Sequence, residues 1–274
     1  MEDDRRKRQR LLTGNLKTYI FDLDGVIYRG EELQPGAAET VEALRSRGAK
    51  VYFLTNNSTL SRKQYADKLT RLGIGAHPNQ VMTSAYATAL YLRERSREGG
   101  AAYVVGESGI RTELRGVGVD IVERTDGRSV DFVVVGLDRR FNYRKLCDAQ
   151  QAILRGAEFI ATNRDPTYPL EGGTLIPGGG SIVSAIQTAS GSAPVLIGKP
   201  ETYSLEKTMA LAGDRPDETV IVGDRLDTDI LGGNRVGAHT VLVLTGVTSA
   251  EEAAAAPPEM KPDRIIHSLT ELLE

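Results

Sequence analysis

Two aspartates, Asp22 and Asp24, flank Leu23 at the end of the apolar run Tyr19-Ile20-Phe21. Three more polar clusters follow apolar runs in the same way: Thr55-Asn56-Asn57-Ser58 after Leu54, Gly198-Lys199 after Ile197, and Gly223-Asp224 after Val222. Carboxylates gathered with one lysine and with hydroxyl and amide donors suit phosphoryl transfer, because that chemistry is mostly positioning and charge stabilisation. An attacking carboxylate divides a hard displacement into two easier ones through an aspartyl-phosphate. A second carboxyl group protonates the leaving oxygen and later activates water. Asp22 and Asp24 fit these two roles. Mg²⁺ is the fitting cation, since it takes hard oxygens and needs one or two carboxylates beside phosphate and water. Asp22 and Asp224 supply those oxygens, and metal and Lys199 together would offset the repulsion between an anionic nucleophile and a phosphate. Thr55 and Asn56 would donate hydrogen bonds to the remaining phosphate oxygens. Taken singly, each aspartate reads as a turn or cap residue; their joint placement favours the chemical reading.

The elements that must position these groups can be read from the same sequence. β-Branched apolar runs bounded by turn signals alternate with longer segments of helical period, which predicts an α/β fold with a parallel sheet and crossover helices. Strands are expected at 18–23, 51–54, 102–105, 132–135, 159–161, 195–197, 220–222 and 241–244. Helices are expected at 37–47, 61–71, 85–97, 143–155, 181–190, 204–212 and 227–236, with a short surface helix in the alanine-rich stretch 250–256. Ser61 and Gln64 form a capping-box pattern, and Gly48 and Gly73 stand where helices should stop. In a doubly wound sheet the carboxyl ends of the strands open on one crevice, so the four clusters are expected to converge there.

The four stretches Phe21-Asp22-Leu23-Asp24-Gly25-Val26, Leu54-Thr55-Asn56-Asn57, Gly198-Lys199-Pro200 and Gly223-Asp224-Arg225-Leu226-Asp227-Thr228-Asp229 resemble, in content and order, the motifs of haloacid dehalogenase-like phosphatases. The resemblance covers nearly the whole chain and implies a Rossmann-like core. It implies Asp22 as nucleophile and Asp24 as acid and base, the latter also a metal ligand through its backbone carbonyl. Thr55 and Lys199 would hold the phosphoryl group, Asp224 would bind magnesium, and Asp229 would order a metal-bound water or Lys199. Asp227 is expected to cap the helix that begins there.

The stretch between Thr55 and Lys199 far exceeds the dozen or so residues of a parallel crossover, so an insertion must lie in it. We expect core segments at 1–97 and 192–274 and an inserted α/β cap at 98–191. An insertion at this point resembles the large cap of the subfamily that holds NagD, 4-nitrophenyl phosphatases, phosphoglycolate phosphatase and pyridoxal phosphatase. Such a cap would exclude water and read the substrate. Its candidate reading segment is 162–170, followed by Gly172-Gly173 and Gly178-Gly179-Gly180; the resemblance makes Arg164, Asp165 and Tyr168 substrate contacts, beside Asn56 and Asn57. A Pro- and Gly-rich turn that merely joins strand to helix is the plainer alternative. The triple glycine lacks the lysine and hydroxyl residue of a P-loop. Related proteins often pair through their caps, which implies a homodimer.

Composition limits the alternatives. The chain has 274 residues, 40% hydrophobic and 26% charged, which is the balance of a folded water-soluble protein and leaves room for two units. A formal net charge of -3 provides no broad positive field, so nucleic acid is not expected as a partner. The charge-dense start, 1–10, reads as a solvated tail, and Leu11-Leu12 is too short for a secretory signal. No apolar stretch is long enough for a membrane span, so a cytoplasmic location is expected. Cys147 is the only cysteine, and Ile153 stands where a cysteine-dependent phosphatase would need its phosphate-wrapping arginine. His77, His239 and His267 show no zinc-ligand spacing. The expected reaction is therefore magnesium-dependent hydrolysis of a small-molecule phosphate monoester. A phosphotransferase or phosphomutase would use the same intermediate, a dehalogenase would need neither Asp24 nor a magnesium site, and a non-catalytic phospho-ligand-binding protein would have lost one of the four groups.

Overall fold

The computed structural model describes residues 16–96, 100–169 and 174–274. The charged stretch 1–10, Arg97 with the expected boundary beside it, and Leu170, Gly172 and Gly173 lie outside the described residues. In chain order the strands are β1 (Thr18–Phe21), β2 (Tyr28–Arg29), β3 (Glu32–Leu33), β4 (Lys50–Thr55), β5 (Val81–Thr83), β6 (Ala101–Val105), β7 (Asp120–Val122), β8 (Phe132–Val135), β9 (Glu158–Ala161), β10 (Thr167–Pro169), β11 (Leu175–Pro177), β12 (Val195–Leu196), β13 (Thr219–Gly223), β14 (His239–Val243) and β15 (Arg264–Ile266). The helices are α1 (Ala37–Ser46), α2 (Arg62–Arg71), α3 (Ser84–Arg95), α4 (Ser108–Gly116), α5 (Tyr143–Leu154), α6 (Gly179–Ser190), α7 (Tyr203–Ala212), α8 (Leu231–Val236) and α9 (Ala250–Ala254).

The chain divides into two compact units. The first takes the chain up to Thr55, Ala66–Met82 and Lys199–Glu274. Its six-stranded sheet has the order β15-β14-β13-β1-β4-β5, with parallel ladders from β15 through β4. Strands covered on both faces must be apolar throughout, and β13 and β14 are buried at every residue. Phe21 and Phe53, partners in the β1–β4 register, are fully buried; each such side chain contributes about 1.5–3 kcal/mol of transfer free energy. A short antiparallel hairpin of β2 and β3 follows directly after Asp24.

The second unit takes Asn56–Tyr65 and Thr83–Gly198. Its parallel five-stranded sheet has the order β12-β9-β8-β6-β7. Val133, Val135, Phe159 and Ala161 of that sheet form one core with Ala149, Ala152 and Ile153 of α5 and Val183 and Ile186 of α6. β10 and β11 make a separate antiparallel hairpin, with Tyr168 opposite Ile176.

α3 and β12, which flank the expected bounds 98–191, group with the second unit. Three expectations are revised. Val195–Leu196 pairs with Ile160 and Ala161 of β9, so the run before Lys199 is not a strand of the sheet that holds Asp22. The segment 227–236 is not one α-helix: Leu226–Ile230 is a π-helical turn that passes into α8. Asp227 does not cap it, since its carboxylate accepts from the Arg225 guanidinium at 2.9 and 3.1 Å.

Candidate active site

Asp22 is the first residue beyond β1, and its N–H donates to Val222 O at 2.9 Å, extending the ladder with β13 by one bond. The chain then turns sharply: Leu23 O accepts from the N–H groups of Ile27 and Tyr28 at 2.9 and 3.2 Å, while Gly25 sits at φ 89° and donates to Tyr28 O at 2.8 Å. Asp22 and Asp24 are two residues apart and so share one strand parity where β1 runs into this turn. Asp24 stands within it, bridged to Tyr28.

Lys199 joins the carboxylates of the first unit. Its ammonium, buried with the rest of its side chain, donates to Asp22 Oδ1 at 2.5 Å, to Asp229 Oδ1 at 2.6 Å and to Leu54 O at 3.4 Å. Asp229 is placed by the π-helical turn, and its second oxygen accepts from Arg225 N–H at 3.2 Å. A Cβ at position 223 would overlap the Asp229 side chain, so glycine is required at the last position of β13, before Asp224. Asp224 is buried, with Oδ2 accepting from Val247 N–H at 2.8 Å. Thr55 ends β4, the strand beside β1, and is buried.

Burial dominates the electrostatics, because it disfavours the charged form of every carboxyl group. It pushes Asp22 well above the usual carboxylate range; Lys199 opposes this, while Asp229 and Asp224 add to it. Burial lifts Asp24 to about 6 against the attraction of Lys68 and Lys199. Burial, together with Asp229, lifts Asp224 to about 7. For Lys199 burial alone would lower the pKa, but Asp22 and Asp229 reverse this and hold the ammonium above its ordinary value.

One oxygen each from Asp22, Asp224 and Asp229 lies within 4.8 Å of the others. Asp224 Oδ1 is buried and has no hydrogen-bond partner among the described residues. A buried anionic oxygen without a donor is costly, and a hard cation would satisfy it. The donor set is all carboxylate, as Mg²⁺ prefers, so the residues present fit that ion. Asp22 and Asp224 would hold it, whereas Asp229 is already engaged by Lys199 and Arg225.

The remaining predicted residues stand in the second unit. Asn56 Nδ2 donates to Asp165 Oδ1 at 3.2 Å, and Asn57 Nδ2 to Tyr168 Oη at 3.3 Å. Asn163 Nδ2 donates to Asn56 O at 2.7 Å and Ser84 Oγ to the same carbonyl at 2.5 Å, fixing the Asn56–Asn57 peptide. Arg164 is exposed and turns instead to Gln187 on α6.

Sequence reasoning missed two parts of the first unit's site. Lys68 lies on α2 with Nζ 3.9 Å from the Tyr28 ring centroid, donates to Gly30 O at 2.7 Å and pairs with Glu31 at 3.3 Å. Helical periodicity cannot mark it, since a lysine on a solvated face looks the same. The loop Thr245-Gly246-Val247 after β14 reaches Asp224, and here a signal existed: it is a glycine-containing turn at the carboxyl end of a strand.

A model of haloacid dehalogenase-like hydrolases matches residues 19–120, and a second, of HAD-hydrolase-like proteins, matches residues 196–272. The 5'-nucleotidase YutF of Bacillus subtilis is 42% identical over 255 residues, which span 93% of this chain and 96% of that protein. The glycerol phosphate phosphatase of Mycobacterium tuberculosis, solved in complex with magnesium, superposes with a TM-score of 0.87 at 37% identity, over 94% of this chain and 77% of that one. NagD of Escherichia coli gives a TM-score of 0.84 at 34% identity, over 93% of this chain and 98% of that one. Motif order, two-sheet architecture and carboxylate cluster agree with these matches: the chain belongs to the haloacid dehalogenase-like hydrolases, in the cap-bearing subfamily of NagD and the p-nitrophenyl phosphatases.

Proposed function

We propose that this phosphatase of small phosphate esters works through an aspartyl-phosphate on Asp22, with Asp24 as the general acid and then the general base. The observation that carries the reading is the Lys199 ammonium, held at 2.5 Å from Asp22 and braced on its other side by Asp229 at 2.6 Å. The cation opposes the rise that burial imposes on Asp22, favouring its ionised form, and the same cation can draw in a phosphate. When held by Asp22 and Asp224, Mg²⁺ supplies charge neutralisation at the phosphoryl oxygens.

In the first step an Asp22 oxygen forms a bond to phosphorus while the bond from phosphorus to the ester oxygen breaks, and Asp24 gives its proton to the departing alkoxide. A pKa of about 6 leaves Asp24 able to carry that proton near neutral pH. In the second step Asp24, now ionised, takes a proton from water as the water oxygen attacks phosphorus. The Asp22–phosphorus bond breaks, releasing inorganic phosphate and restoring both residues. Thr55 is assigned to hold the phosphoryl group during both steps. Arg164, Asp165, Tyr168, Asn56 and Asn57 are assigned to substrate choice.

The relatives differ in the esters they are named for, a nucleotide and glycerol phosphate, so both belong in the test set together with sugar phosphates. The decisive measurement is phosphate release from such a panel, with and without Mg²⁺, by the wild type and by Asp22→Asn. Loss of turnover in the variant on every ester supports the reading. Equal activity in the two proteins overturns it.

A further inference from the structure

Asp224 is enclosed by backbone from two sides. The loop after β14 donates Val247 N–H to Asp224 Oδ2 at 2.8 Å and Thr248 N–H to Asp224 O at 3.2 Å. Gly246 lies so close that a Cβ there would overlap the Asp224 side chain. Its backbone is not in the left-handed region, so the carboxylate, not conformational preference, excludes a larger residue. On the other side a Cβ at Gly25 would meet Asp224 Oδ2 at 2.6 Å.

These two glycine segments are tied together. Thr245 Oγ1 donates to Gly25 O at 2.8 Å, Gln34 Nε2 to the same carbonyl at 3.3 Å, and an Arg29 guanidinium N–H to Thr245 O at 2.9 Å. The carboxylate therefore cannot rotate without opening the pair of loops. One of its oxygens is committed to Val247, and the other, Oδ1, is left buried with no donor among the described residues. A loop that served only to finish the sheet would not need to divide the two oxygens in this way.

The geometry points to Thr245-Gly246-Val247 as the device that sets magnesium affinity, by holding Asp224 in the single orientation that presents Oδ1. Gly246 and Val247 are positioning residues: they act through Asp224 and not on the ion. The inference rests on the reading of Asp224 as a magnesium ligand given above. Loss of a group that orients a metal ligand typically weakens metal binding about 10–100-fold.

The test is calorimetric titration of Mg²⁺ into the metal-free protein, with far-ultraviolet circular dichroism and melting of the same samples. The variants are Gly246→Ala, which displaces the carboxylate, and Val247→Pro, which removes the donor; Val247 is two-thirds exposed, so little side-chain packing is lost. Each is expected to bind Mg²⁺ at least about tenfold more weakly than wild type while keeping its secondary structure. If neither variant folds, Thr245→Val, which keeps the side-chain volume and removes the tie to Gly25, decides by a loss of at least about threefold. Folded variants that bind within twofold of wild type overturn the inference. Wild-type protein that binds no Mg²⁺, or Asp224→Asn that binds it as tightly as wild type, overturns the underlying assignment of Asp224 instead.

Discussion

Lys199 Nζ lies 2.5 Å from Asp22 Oδ1, a charge-assisted bond between the residue that follows β1 and one that precedes α7, 177 positions later. The same ammonium binds Asp229, so a single cation compensates two buried carboxylates while a third, Asp224, stands close by. Removing the lysine therefore has two separable effects, one on chemistry and one on stability.

Lys199→Met should abolish measurable turnover and also destabilise the metal-free protein at neutral pH, because breaking a buried ion pair leaves an uncompensated charge worth roughly 3–5 kcal/mol. Urea denaturation at neutral and at mildly acidic pH checks this. Acid should restore part of the loss by protonating Asp22. A variant as stable as wild type at neutral pH would mean that the carboxylates there are already protonated.

Asp24→Asn separates the two half-reactions. With a p-nitrophenyl ester the leaving group departs without a proton, so the first step survives and the second stalls for want of a base. A burst of p-nitrophenol and a phosphorylated Asp22 detected by mass spectrometry are expected, with alkyl esters not turned over. Steady-state rates equal to wild type on both esters would reassign Asp24 to a structural role.

The pH dependence follows from the raised pKa of Asp24, about 6. Only the protonated form can serve the leaving group, so kcat/KM for alkyl phosphates should fall as pH rises through about 6. Lys68 attracts the ionised form and holds this value down; Lys68→Met should move the falling limb to higher pH. A limb that stays in place would remove Lys68 from the set of groups that tune Asp24.

Stability should respond to pH in the same sense. A carboxyl group whose folded pKa exceeds its unfolded value contributes stability that is full below the unfolded value and lost as pH rises through the folded one. Asp24 and Asp224, at about 6 and about 7, place that loss for the metal-free protein between about pH 4 and pH 7. Mg²⁺ binds the ionised form, so it should raise the melting temperature more in mildly alkaline than in mildly acidic buffer. An equal rise at both would argue against carboxylate ligands.

Much of this site was legible in the sequence because each member of it follows a strand or sits at a fixed step from one. Asp22, Thr55 and Asp224 come directly from adjacent strands of one sheet, and β-branched runs mark such strands well. Lys199 was found for a partly mistaken reason: the run before it is a strand, but it pairs with β9 of the other sheet. Sheet membership depends on long-range pairing, which local pattern does not encode. The same limit hid β7, the two hairpins and β15, each two or three residues long, too short to show a period. Lys68 acts through a single charge and a backbone contact, for which residue type gives little signal, whereas the Thr245–Val247 loop is marked by its glycine after β14.

β1 lies between β4, which follows it closely, and β13, which begins only at Thr219. During synthesis, then, the strand that carries Asp22 keeps one open edge until more than three quarters of the chain has been made, and Asp224 and Asp229 are not yet present. The five strands of the second sheet are all complete by Leu196. The carboxylate cluster is thus assembled late: Asp22 gains Asp224 and Asp229 as neighbours only once β13 has docked.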